Sequence, residues 1–371
     1  MSAIPEVVAP AAATPRPDRF YRPELDALRF FAFAGVLMTH GPDAPGIPSI
    51  VTNSGCLGLP MFFVLSAYLI TELLMRERDK TGTISWGRFF TRRALRIWPL
   101  YYGSLALSAV FTLVVLRHHW VDRKAALVFG IFIANWVPHQ VPLYLGPLWS
   151  ISIEEQFYLI WPPISKIGGR RLAWAVSVFF VLVAAIWLWR YYPKGWVRVW
   201  FDAPVQFLFF AVGAMIALWT RGGRTPVRKP LSRAACLSAG VCLFLLVGVV
   251  CIIQPNPHLS LWRFYVGYGA AALGCALIFI GALGVSRIPK PLAYLGKISF
   301  GLYVFHIAML KLAVWLARPL GLHGNSIPRI VVVDCVALLL CIAAAHLSYQ
   351  YFETPFLKLK KRFEIVESRP V

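Results

Sequence analysis

The sequence predicts an all-α, polytopic transmembrane bundle of about ten helices with both termini in the cytoplasm, and three observations carry that expectation. Of the 371 residues, 58% are hydrophobic and only 14% are charged, so the chain cannot cover itself with a water-soluble surface. Apolar runs recur along nearly its whole length, each of about 18 residues or more and able to cross a hydrocarbon core as a helix. The basic residues gather between those runs, where charge sets orientation.

Taken in order, residues 1–20 are rich in Ala and Pro and lack the apolar core of a cleaved signal, which reads as a disordered cytoplasmic tail. One transmembrane domain follows at 21–355. Its spans fall at 27–44, 57–75, 99–116, 147–165, 172–190, 203–220, 234–254, 263–284, 298–317 and 330–350. The stretch 125–137 is too short to cross comfortably and reads as interfacial or re-entrant. Residues 356–371 form a basic cytoplasmic tail. With the N-terminus inside, the inner segments of this arrangement hold 26 of the 37 Lys and Arg. An eleventh span at 125–137 would turn three basic loops outward, against the positive-inside rule.

Composition also excludes whole classes of function. A net charge of +21 lies in short loops and not on a folded basic face, so nucleic acid is no partner; membrane lipid is. The seven cysteines are an odd number, and six of them, Cys236, Cys242, Cys251, Cys275, Cys335 and Cys341, lie in or beside apolar segments, where cysteine behaves as a small hydrophobe. Neither a disulfide framework nor a metal-ligand spacing is present.

Ionisable residues within spans cost about 2.5–3.5 kcal/mol each on insertion scales, so each needs a partner or a role. In RPELDALRFFAFAGVLMTH, Asp26 and Arg29 can pair on one face, and His40 shares the face of Arg29 about 16 Å further along. The structural reading is an interfacial anchor and a packed imidazole; the chemical reading makes His40 a general base. In LGPLWSISIEEQFYLIWP, Glu154 and Glu155 lie roughly 10–12 Å inside the fourth span, at a depth similar to that of His40. They either knit the bundle by hydrogen bonds or join the histidine in a site.

The segment FFTRRALRIWPLYY places Arg92, Arg93 and Arg96 at the inner end of the third span, with Tyr101 and Tyr102 behind them. Topology alone explains arginines there, yet guanidinium groups also grip phosphate oxygens, which suits a phosphorylated cytoplasmic donor. His306 in ISFGLYVFHIAML reads as a packed histidine or a supporting site residue, and Glu353 in SYQYFETPF as structural.

These segments together resemble the acyltransferase 3 family of membrane enzymes. The matching pieces run in order as RPELDALR with its following His, FFVLSAYLIT, FFTRRALRIWPLYY, LWSISIEEQFYLIWP, LGKISFGLYVFH and YFETPFLKLKKR, from Tyr21 to Arg362. One departure is Ala67, where the family usually has glycine.

The resemblance implies a ten-helix bundle that takes acyl groups, often acetyl, from coenzyme A or a related donor and places them on hydroxyls of carbohydrates, glycolipids or glycosylated small molecules. It maps the family's Arg and His of the first helix onto Arg29 and His40, its arginine cluster onto Arg93 and Arg96, and its Trp, Ser and Glu motif onto Trp149, Ser150, Glu154 and Glu155. It also implies a stand-alone form without a fused esterase-like domain.

The expected mechanism holds acetyl-coenzyme A on Arg92, Arg93 and Arg96 with Tyr101 and Tyr102 as further donor-binding residues, and has His40 as base, Glu154 or Glu155 orienting or charge-balancing it and Arg29 assisting. Asp26, Trp149, Ser150 and His306 support the acceptor side, no metal takes part, and the bacterial inner membrane is the setting. An acyl-histidine route stays open. The rival is a proton-coupled transporter or flippase of a glycoconjugate, which also buries Arg, His and Glu but often shows repeated halves that this sequence lacks.

Overall fold

The computed structural model describes residues 20–41, 54–114, 123–137, 146–194, 196–221, 227, 229–250, 260–318 and 327–368. The Ala/Pro tail up to residue 19, most of the basic loop 222–228 and the last three residues lie outside the described residues. No strand occurs among the described residues, and helices dominate.

The chain is an integral membrane bundle. In order, its helices are α1 (Pro23–His40), α2 (Gly58–Thr81), α3 (Trp86–Val114), the short α4 (Arg123–Gly130), α5 (Trp149–Tyr191), α6 (Trp196–Phe201), α7 (Ala203–Thr220), α8 (Pro230–Val250) and α9 (Leu261–Ala282). Then come α10 (Lys290–Lys297), α11 (Ser299–Ala317), α12 (Ile327–Leu347) and α13 (Thr354–Lys360).

Seven helical stretches among the described residues are long and apolar enough to cross a bilayer. One of them, Gly146–Lys194, holds two of the expected spans joined at a kink. Gly169 sits at that kink with φ 53° and ψ −140°, in a region L side chains rarely enter. Arg78 fills the space a β-carbon would need there and donates to the carbonyl of Ser165 at 2.9 Å. α1 and α3 are not among these seven; α1 carries Glu24, Asp26 and Arg29, and α3 carries Arg88, Arg92, Arg93 and Arg96 near its start.

The expected re-entrant stretch folds as the eight-residue α4, too short to span, followed by a 3-10 turn at Ala134–Trp136. Phe132 between them takes a positive φ of 57°. The segment is pinned from two sides. Tyr101 donates to the carbonyl of Phe129 and Tyr102 to that of Gly130, both at 2.8 Å, and Gln156 donates to the Phe132 carbonyl and to Asn135.

Packing follows the apolar faces. Rings of Phe63, Phe210, Phe157 and Trp161 stack in succession at 4.7, 4.4 and 5.2 Å and lock α2, α7 and α5 together. A second core joins α1, α11 and α12 through Phe33, Leu302, Val333 and Cys341. α8 and α9 pair at the periphery, where only 11% of the α8 window is buried. Such an apolar face is stable only against lipid. After a turn of π-helix at Ser348–Glu353, α13 and residues 361–368 fold back over the ends of α2 and α3.

Candidate functional site

α1 presents its polar residues toward the centre of the bundle because Asp26, Arg29 and His40 follow helical spacing. Arg29 donates to Asp26 at 2.5 Å, and Tyr21 donates to the other oxygen of that carboxylate at 3.1 Å. Asp26 is held from behind as well. Gly296 of α10 lies so close that its missing side chain is what lets the Asp26 backbone pass.

The arginines of α3 divide in role. Arg92 pairs with the buried Glu77 at 2.9 Å and donates to the carbonyl of Phe363, also at 2.9 Å. Glu77 in turn accepts from the backbone N–H of Ser85 at the start of α3, so this arginine ties α2, α3 and the C-terminal segment together. Arg93 and Arg96 carry no ion pair among the described residues. Arg93 lies over the rings of Phe89 (5.7 Å) and Tyr158 (5.4 Å). Arg96 faces Arg29, Arg93 and Glu154. Its charge also reaches Lys297, which burial first and Arg96 second hold below the ordinary lysine range.

The two glutamates diverge, as neighbours on a helix must. Glu154 accepts from Tyr158 at 2.7 Å, and the Tyr158 hydroxyl lies 2.6 Å from that of Ser66. Arg29, Arg93 and Arg96 all face it. Glu155 turns toward Trp98 and the α4 side, with one buried oxygen that has no hydrogen-bond partner among the described residues. Neither carboxylate bonds to His40 among the described residues. Tyr101 and Tyr102 likewise sit with α4 and away from the arginines.

At the other end of α1, the His40 Nδ1 lies 2.8 Å from the carbonyl of Val36. A carbonyl only accepts, so Nδ1 carries the hydrogen and Nε2 of the neutral ring keeps its lone pair. His306 repeats the arrangement on α11, its Nδ1 2.5 Å from the carbonyl of Tyr303. It is fully buried, and its Nε2 has no hydrogen-bond partner among the described residues. The hydroxyls of Ser150 and Tyr303 lie 2.8 Å apart, and each is 3.0 Å from the carbonyl of Pro147.

Three cavities follow one another through this framework. The first, about 110 Å³, is lined by Arg22, Arg29, Arg92, Arg93, Arg96 and Lys360. The second, also about 110 Å³, shares Arg29, Arg93 and Arg96 with it and adds Ser66, Glu154 and Ser150. The third, about 1040 Å³, opens at the His40 end and includes Trp149, Trp200, Phe201 and Lys311. Tyr303 lines both the second and the third, so its bond with Ser150 stands where they meet.

Among the described residues no group of His, Cys, Asp and Glu converges as a metal site would require. Sequence reasoning missed Tyr158, Ser66 and Tyr303. Tyr158 lies four residues after Glu154 and Tyr303 three before His306, so helical spacing from the chosen residues was the available signal.

Residues 22–346 match a family described as an acyltransferase domain. The chain is 26% identical over 381 residues to the peptidoglycan O-acetyltransferase of Listeria monocytogenes, covering 93% of this chain and 57% of that one. It is also 26% identical over 368 residues to an O-acetyltransferase of Staphylococcus aureus, covering 91% and 57%. The chain therefore spans a little over half the length of these curated relatives. No solved structure matches it.

Proposed function

The chain belongs to the acyltransferase 3 family, and from that premise we propose that it is a membrane O-acyltransferase of the bacterial inner membrane. It moves an acetyl group from cytoplasmic acetyl-coenzyme A to a hydroxyl of a carbohydrate or glycoside reached from the opposite face. The observation that carries this reading is the file of cavities from the arginine cluster to His40, in which successive chambers share their walls.

On this reading Arg93 and Arg96, free of ion pairs among the described residues, grip the donor's phosphates, while Arg92 holds the cavity wall. The acyl arm passes Arg29, Glu154 and Tyr158 and reaches the Ser150 and Tyr303 pair. His40 Nε2 accepts the proton of the acceptor hydroxyl as its oxygen attacks the thioester carbonyl. The tetrahedral intermediate collapses, the carbon–sulfur bond breaks, and the imidazolium returns the proton to the departing thiolate. His306 packs against His40 and positions it. Glu154 balances the charge of Arg29, Arg93 and Arg96, a different task from orienting His40.

Acetyl-coenzyme A labelled in the acetyl group tests this with detergent-purified protein. Wild type should bind and turn over the donor. His40→Ala should bind it without turnover, and Arg93→Ala should bind it weakly. If no variant binds the donor, or His40→Ala is fully active, the mechanism fails and a transporter becomes the better account.

A further inference from the structure

The cavity at the His40 end carries charge that the acyl-transfer chemistry does not use. α11 turns one stripe toward it, Ile307, Lys311, Val314, Trp315 and Arg318, at the three- and four-residue spacing of a single helical face. Lys311 lies within the span itself, about two turns before the helix ends. Arg329 from α12 joins the same wall. No Asp or Glu lines the cavity among the described residues; Asp334 lies at its margin, against Gly41.

Trp149 and Phe201 sit with ring centroids 4.4 Å apart, and Trp200 and Trp315 add further aromatic surface. With a volume of about 1040 Å³, the chamber is at the upper end of the range for small-molecule sites, far larger than an acetyl group needs. Aromatic faces that pack on sugar rings, beside cations that bind oxyanions, describe a receptor for a charged saccharide.

We propose that Lys311, Arg318 and Arg329 recognise a carboxylate or phosphate on the glycan acceptor, so that this chamber selects anionic saccharides over neutral ones. The inference rests on reading this cavity as the acceptor's chamber. Tryptophan with lysine and arginine is also what anchors a helix among lipid headgroups. The lining of a common cavity with His40 favours the saccharide.

Titration calorimetry on the full chain in neutral detergent tests it with four probes: maltotriose, trigalacturonate, maltose 1-phosphate and dioleoylphosphatidylglycerol. At least one acidic saccharide should bind about tenfold tighter than maltotriose, the scale of one or two charge-assisted hydrogen bonds. Whichever acid wins identifies the anion. The margin should shrink to about twofold in Lys311→Gln/Arg318→Gln and in Arg329→Gln, with maltotriose binding retained.

Equal binding of all three saccharides, or none, overturns the proposal. So does binding of the phospholipid without any saccharide, which would mark a headgroup anchor. Acetyl-coenzyme A binding by the same preparation separates the two readings. If the donor binds and the charge preference is missing, only this inference fails; if the donor does not bind, the acyl-transfer reading fails whatever the saccharides do.

Discussion

The imidazole rings of His40 and His306 lie 5.0 Å apart, centroid to centroid, inclined at 69°. Each donates its Nδ1 hydrogen to a carbonyl of its own helix, so both Nε2 atoms are left as acceptors. His40 is exposed to the large cavity and His306 is fully buried. On the proposed reading, that access is what assigns the base to His40 and the supporting position to His306.

Acidification should therefore stop transfer as His40 takes up a proton, because a protonated imidazole cannot act as a base. The acid limb should persist in His306→Phe, at a lower maximal rate. Rates measured between pH 5 and pH 8 check this. An acid limb lost in His306→Phe, with activity retained, would move the base to His306.

Arg92 and Arg93 are neighbours in sequence and should fail in different ways. Arg92→Ala strands the carboxylate of Glu77, whose side chain is 2% exposed, and should cost about 3–5 kcal/mol of stability. Arg93→Ala should leave the melting temperature within a few degrees while raising the donor Kd about tenfold or more. Thermal unfolding in detergent beside a donor titration reads both. Equal loss of donor affinity with unchanged stability in both would remove the structural role given to Arg92.

Gly296→Ala should act at a distance. A β-carbon there would collide with the Asp26 carbonyl, pushing away the residue that holds Arg29. Strain of this kind costs about 1–3 kcal/mol, and the expected result is weaker donor binding although Gly296 lines none of the three cavities. Unchanged affinity would mean that α1 and α10 adjust without moving Arg29.

Tyr303→Phe removes one hydroxyl from the Ser150 and Pro147 cluster where two cavities meet. Stability should fall by about 1 kcal/mol. Donor hydrolysis should rise relative to transfer, because water then reaches the acyl arm before the acceptor does. Counting acetate released against acetylated product measures it, and an unchanged ratio would show that the Tyr303 hydroxyl does not separate the chambers.

Much of the candidate site was legible because membrane sequences expose their exceptions. Arg29, His40, Arg93, Glu154 and His306 are polar residues in apolar runs, and all of them line or adjoin the cavities. Similar depth, however, did not mean contact. His40 and Glu154 were expected to cooperate, yet they line different chambers on either side of Tyr303.

Composition and the spacing of apolar runs determined, without coordinates, that this chain is a helical membrane bundle, because hydrocarbon forces every backbone group to bond within its own helix. They also identified which polar residues need explaining. Only the tertiary structure decided which of these meet: that Arg92 belongs to Glu77 and Arg96 to the open cavities, that Tyr101 and Tyr102 hold α4, and that His40 faces His306. Helical spacing fixes a side chain's direction on its own axis, whereas the neighbour it finds depends on how several axes pack and turn against one another.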